Sequence, residues 1–356
     1  MSVVDAPVVA NSNPWRPAKD SNVLKNSDAE RPNPWAVLRE RLVAAGCFDV
    51  DGTASVASLF VHVAAAGGLW WWAAQLGWLY GFVPAIVGSF MFYRIGFLMH
   101  DAAHGSACAD RRKNETFAIV CCMVLGEFLS GWRYGHNRHH AAPNVRGKDS
   151  DQSERWDPRY HYTNVVIATL DLFFFHRFGR FVRVPKTLFL MGIRDGVYCF
   201  KTNRSAFARE CTWVVCSQLL QLLFFVWLLG PLGVLAFVFH SHIGVVYLNA
   251  VFAGNHYDLE SFDIDSAATV PGWALQVRAS RNYTDDVATV FVSGGLAFQI
   301  EHHLFPTLPR RRLRRAAPIV QAWCAEQGLT YEQLSLPASL ARVVRFHLRH
   351  ETTATT

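Results

Sequence analysis

His136-Asn137-Arg138-His139-His140 packs three imidazoles into five residues. On a helix, positions i, i+3 and i+4 share a face, so all three rings project together. Neutral imidazole is the commonest protein ligand for iron, copper and zinc, and no acidic residue interrupts the run. Two other stretches repeat the arrangement. His100-Asp101-Ala102-Ala103-His104 is an i, i+4 pair, and Gln299-Ile300-Glu301-His302-His303 sets Gln299, His302 and His303 on one helical face. Three such clusters among only 15 histidines point to a shared metal centre.

Working outward, the segments between the clusters decide the fold. Residues 54–99 carry one charge, Arg94. That length holds two spans of about 20 residues each, expected at about 57–76 and 83–100 with a reversal near Gly77 to Pro84. The second span delivers His100 and His104 to its end, and Arg94, deeper in, reads as a snorkelling side chain. A second apolar stretch, broken at Gly230-Pro231-Leu232-Gly233, predicts spans at about 212–230 and 233–253 and returns the chain to His256. Residues 117–130 are apolar apart from Glu127 but too short for a span, so they read as re-entrant or interfacial. Residues 163–192 mix Phe and Leu with Arg177, Arg180, Arg183 and Lys186, as in helices lying at an interface.

No full crossing therefore separates the three clusters. The presumed outer turns carry no charge, whereas Arg111-Arg112-Lys113 and the run Arg310 to Arg315 lie on the histidine side. The positive-inside rule then puts the clusters and both termini in the cytosol. The arginine run reads as solvated or as headgroup contacts. The expected fold is an all-α integral membrane protein: four transmembrane helices in two hairpins, with a cytosolic helical cap holding a di-metal site. Residues 1–34 are polar and aperiodic, a disordered tail with no signal-peptide pattern. Residues 35–348 form a single membrane domain that opens on a short amphipathic helix, and 349–356 form a C-terminal tail.

Composition agrees. Charged residues make up 17% of the chain, against about 25% in soluble domains, and mean hydropathy is positive. The net charge of +6 belongs with the membrane surface, since no nucleic-acid module accompanies it. The eight cysteines include no CxxC pair, so neither a disulfide framework nor a thiolate metal site is indicated.

Seven clustered histidines plus His256 give eight imidazoles on one face of the membrane. That is too many for one four- to six-coordinate ion and about right for two. Ligand type alone leaves iron, copper and zinc open. Two redox metals at the mouth of an apolar bundle suit dioxygen activation and attack on an unactivated C–H bond. Asp101, Asp149, Asp151, Asp258 and Glu301 are candidate acceptors for imidazole N–H groups, Asp101 foremost because it lies inside a cluster. His62, His161, His176, His240, His242, His347 and His350 read as structural or exposed. A membrane metal transporter is the alternative from another class, but transport calls for ligands along a path through the spans. Here the clusters sit at helix ends.

With these boxes in place, the chain resembles the membrane fatty acyl desaturases from about residue 90 to 335. His100-Asp-Ala-Ala-His104-Gly105 is similar to the first box of that family, and His136-Asn-Arg-His-His140-Ala-Ala-Pro-Asn144 to the second. Gln299-Ile-Glu-His-His303-Leu-Phe-Pro306, after Gly294-Gly295-Leu296, resembles the third box of the front-end branch, where glutamine replaces the first histidine. The resemblance implies a non-haem di-iron centre that uses O2 and two electrons to place a double bond in an acyl chain. It implies His100, His104, His136, His139, His140, His256, His302 and His303 as iron ligands. Gln299 would be a ligand or a hydrogen-bond partner of one, with Asp101 and Glu301 as further candidates. The substrate would be a lipid-linked or CoA-linked fatty acyl chain. The haem motif His-Pro-Gly-Gly of a fused cytochrome b5 does not occur, so electrons are expected from a separate ferredoxin or cytochrome b5. A hydroxylase, epoxygenase or acetylenase on the same scaffold is the alternative chemistry.

Overall fold

In the computed structural model, residues 33–151 and 197–349 are described. The N-terminal tail, the interfacial stretch 163–192 and the last residues of the C-terminal tail lie outside them. Helix α1 (Pro34–Ala44) starts where the Asn33 side chain accepts the Trp35 N–H, with proline in the first turn. Leu38 and Leu42, one turn apart, are its buried face.

The long apolar stretch forms α2 (Gly52–Gly77) and α3 (Leu79–Ala103). Asp51 caps α2, accepting the Ala54 N–H at 3.3 Å. At Gly77 (φ 70°, ψ −177°) the chain leaves helical geometry. Helix α3 then runs back along α2: a Cβ on Gly88 would lie 3.0 Å from the Trp70 ring and 3.2 Å from the Ala66 carbonyl. Helices α4 (Arg111–Leu125) and α5 (Leu129–Ala141) follow, bent by 109° at their junction.

After the undescribed segment, α6 (Arg204–Leu229) and α7 (Gly233–Ala253) are joined by a short 3-10 turn over Gly230–Leu232. On one continuous helix Phe225 and His240 would lie roughly 22 Å apart, yet their ring centroids are 5.1 Å apart. This stretch too is a hairpin. Among the described residues, three helical stretches are long and apolar enough to cross a membrane, or four if the bent α4–α5 pair counts as one span. Large apolar side chains such as Phe60, Leu79, Val83, Leu220 and Trp227 are exposed along them, a surface that suits lipid.

The histidine end is covered by shorter elements. These are α8 (Ile264–Thr269), α9 (Gly272–Arg278), α10 (Val287–Ser293), α11 (Gln299–Leu304), α12 (Arg310–Glu326) and α13 (Leu336–Arg349). A two-residue parallel pair, β1 (Asn282–Tyr283) with β2 (Gln333–Leu334), ties the segment before α10 to the C-terminal region. One hydrophobic core joins cap to bundle: Phe97 on α3 and Leu248 on α7 pack with Ile300, Leu304, Leu313 and Trp323.

Two arginines depart from expectation. Arg94 is buried rather than snorkelling; its Nε donates to His62 Nε2 at 3.0 Å, and its guanidinium lies 4.1 Å from the Phe291 ring centroid. Phe291 and His62 come from sequence-distant helices, so the neighbourhood that holds the charge inside was invisible locally. Arg310 faces inward, with one guanidinium nitrogen 2.7 Å from Asp101 Oδ2 and donating to the Phe97 carbonyl. His240 matches its structural reading: it is buried, and its Nδ1 lies 3.0 Å from Ser89 Oγ.

Candidate metal centre

Four elements deliver the ring nitrogens. The end of α3 supplies His100 and His104, α5 supplies His136, His139 and His140, and the turn after α7 supplies His256. Helix α11 supplies Gln299, His302 and His303. The turn between α10 and α11 approaches α3 so closely that a Cβ on Gly294 would lie 2.0 Å from the Phe97 ring, and Gly294 itself has φ +59°. Only glycine meets both demands.

The eight predicted imidazoles fall into two adjoining groups. His100, His104, His136, His140 and His302 form one; His139, His256 and His303 form the other; in each, the possible ligand atoms lie within 4.8 Å of one another. The rings of His140 and His303 stack across the boundary at 4.4 Å. His140 Nε2 lies 3.1 Å from both His136 Nε2 and His302 Nε2.

Four of the outward nitrogens are held by the protein, whereas His140 Nδ1 is buried without a hydrogen-bond partner. His136 Nδ1 donates to Asp151 Oδ2 at 3.0 Å, and His139 Nδ1 to Asp149 Oδ2 at 2.9 Å. His256 Nδ1 donates to the Ala279 carbonyl at 2.8 Å, and His303 Nδ1 to Gln276 Oε1 at 2.8 Å. A proton fixed on Nδ1 leaves the Nε2 lone pair facing inward, the arrangement metal-bound histidines use. The inward atoms lack other employment: Nε2 of His100, His104 and His303 is buried without a hydrogen-bond partner, and so is Gln299 Oε1. Gln299 Nε2 lies 3.0 Å from His256 Nε2, and turning the amide over would direct its oxygen there instead. Converging lone pairs with no proton to share repel one another unless a cation lies between them, so this donor set fits a pair of metal ions. Burial, reinforced by neighbouring imidazoles, holds His104, His302 and His303 well below the ordinary imidazole range, which keeps them neutral and able to ligate.

The predicted carboxylates divide. Asp149 and Asp151 meet imidazoles directly. Asp101 Oδ1 is a looser 3.4 Å from His100 Nδ1, while its other oxygen takes Arg310. Asp258 instead forms a two-pronged ion pair with buried Arg281 at 2.7 Å. Glu301, one position before His302 and so turned about 100° around the helix, points away from the rings. It accepts from Asn282 Nδ2 at 2.8 Å and Tyr331 Oη at 2.7 Å, and burial raises its pKa. Neither Asp258 nor Glu301 is placed as a partner of the histidines.

Sequence reasoning missed three contributors. Gln276 of α9 accepts from His303 and donates to the His140 carbonyl at 3.0 Å, bridging the two groups. Asn144, at φ 57°, donates its backbone N–H to Asp149 Oδ2 at 2.8 Å and its side chain to the His256 carbonyl at 3.2 Å. Trp132 stacks on His136 at 4.4 Å. Asn144 closes the quoted second box and Trp132 lies one turn before His136, so both were findable; nothing in the sequence around Gln276 marks it.

The family model described as fatty acid desaturase matches residues 76–335, a range containing α3, the second helical hairpin and all eight imidazoles. The chain belongs to the fatty acid desaturase family. Among curated relatives, it is 29% identical over 263 residues to a Delta(5) fatty acid desaturase of Caenorhabditis elegans, covering 69% of this chain and 58% of that protein. It is 28% identical over 276 residues to a Delta(6)-fatty-acid desaturase of the same organism, covering 72% and 61%. A Delta(8)-fatty-acid desaturase of Euglena gracilis is 26% identical over 312 residues, covering 83% and 73%. This family member thus spans about three-fifths of the length of the two nematode relatives.

Proposed function

We propose that the protein is a membrane acyl-chain desaturase of the front-end type, placing a cis double bond in a lipid-linked or CoA-linked fatty acyl chain. Two adjacent C–H bonds are broken and a C=C bond is formed, while O2, two protons and two electrons become two waters with the two hydrogens removed. Two iron ions would supply the oxidising power for this reaction. A ferredoxin or a cytochrome b5 would supply the electrons.

The observation that carries the reading is the pair of adjoining imidazole groups, with the outer nitrogens of His136, His139, His256 and His303 fixed. His100, His104, His136, His140 and His302 would hold one ion; His139, His256 and His303, with Gln299, the other. Asp149, Asp151, Gln276 and the Ala279 carbonyl keep protons on Nδ1, so Nε2 stays a donor to metal. Burial of the rings keeps water from the reacting carbons. The exposed apolar sides of the hairpins suit a protein that takes its substrate from the bilayer.

The histidine end and both termini face the cytosol in this reading, because the Arg/Lys clusters lie at that end and the opposite turns carry no charge. The chain then crosses the bilayer four times, and α4–α5 is re-entrant.

The test is a fatty-acid profile of a host expressing the protein with a matching electron donor, fed mono- and polyunsaturated acids, with each double bond located chemically. The expected result is a new double bond on the carboxyl side of an existing one, absent with His139→Ala. An oxygenated or alkynyl product would transfer the protein to the alternative chemistry. No product, from protein holding two irons, would exclude simple acyl chains as substrate.

A further inference from the structure

Asp149, which accepts from His139, also lines a cavity of about 580 Å³, with Tyr134, Arg138, Arg146, Lys148, Lys201 and Thr202 among its other lining residues. Its size falls in the usual range for small-molecule sites. Four of these side chains are cations, and all four are exposed. Among the described residues none of them pairs with a carboxylate. Asp149, which also lines the cavity, accepts from His139 Nδ1, and Asp151 accepts from His136 Nδ1. The wall is braced: Arg138 donates to the Lys148 carbonyl at 3.4 Å and lies over the Tyr134 ring, and Ser150 Oγ donates to the Gly135 carbonyl at 2.6 Å. Tyr134 and Tyr198 add an aromatic side, with ring centroids 5.2 Å apart.

Clustered positive charge in a concave site raises the local concentration of anions. Guanidinium forks match phosphate oxygens in pairs, and lysines add mobile point charges. A protein partner would normally need a broader face, about 800 Å² on each side.

We propose that this cavity holds the phosphate-bearing head group of the acyl substrate. The proposal rests on the desaturase reading and deepens it. Asp149 is then a shared wall, touching both the metal-facing His139 and the head-group cavity. A head group held there keeps the first carbons of the chain near the histidines, which suits oxidation close to the carboxyl end.

The test is direct binding rather than turnover. Purified, iron-loaded full-length protein in an uncharged detergent is titrated with CoA, glycerol 3-phosphate and inorganic phosphate, at low and high salt. Saturable binding of CoA or glycerol 3-phosphate is expected, tighter than inorganic phosphate and weakened by salt. In Arg146→Gln/Lys201→Gln it should weaken about tenfold or more, a loss of about 1.4 kcal/mol, with iron content and helical signal retained. Lys201→Glu alone, at an exposed position, should weaken it in the same direction if the double change disturbs folding. Preference for CoA would name a thioester carrier and preference for glycerol 3-phosphate a glycerolipid; both support the proposal. Binding no tighter than inorganic phosphate, or indifferent to these substitutions, overturns it. The two readings fail separately: a double bond formed without such binding removes the head-group site alone, and binding without any double bond removes the desaturase reading.

Discussion

Asp149 accepts from His139 Nδ1, from the Asn144 N–H and from the Asp151 N–H at once, all within 2.9 Å. Its carboxylate therefore orients a ring and shapes the turn after α5 together. Asp149→Asn should lower iron affinity and activity by roughly 10- to 100-fold, as losses of such supporting partners do, read as iron retained after dialysis against a chelator. Unchanged iron retention would remove Asp149 from the support of the site. The lowered pKa values of His104, His302 and His303 have a further consequence. From the ordinary value of 6.5 downward, the unfolded chain binds protons that these buried rings refuse. Their contribution to stability is therefore complete above pH 6.5 and is lost as pH falls toward their folded-state values. The metal-free protein should melt at progressively lower temperature on acidification below pH 6.5, and His302→Gln should flatten that dependence. A melting temperature independent of pH in this window would contradict the burial assigned to these rings.

At the scale of elements, the turn between α10 and α11 packs tightly against α3. Gly294→Ala would force a Cβ into the Phe97 ring at a position whose φ is +59°, displacing either α3 with His100 and His104 or the segment leading to His302 and His303. Gly68, in the middle of α2, has open space around it. There, alanine should stabilise by about 0.5–1 kcal/mol, the usual helix-interior gain. The pair of variants, compared by thermal unfolding and iron content, should move in opposite directions. Equal effects would show that the approach of this turn to α3 is not a constraint.

At the scale of the whole molecule, the cationic end and the uncharged turns predict opposite exposure across the bilayer. With Cys216 replaced by serine, Lys113→Cys should react with a membrane-impermeant maleimide only when the cytosolic face is opened, and Leu232→Cys should react from outside intact cells. The reverse pattern would invert the orientation.

The sequence by itself determined the two hairpins and the eight imidazoles, because uncharged stretches long enough to span and rings at i, i+3 and i+4 are local patterns. Only the tertiary structure decided how those rings divide, five against three, and what holds each one. Gln276 and the Ala279 carbonyl reach the histidines from segments distant in sequence, so no local period announces them. The same reason explains the misread charges. Whether Arg94 meets lipid headgroups or His62 and Phe291, and whether Arg310 meets solvent or Asp101, depends on which helix is packed opposite. Glu301 gave the converse lesson: proximity in sequence to His302 put it on the other face of α11, holding Asn282 and Tyr331 instead of a ring.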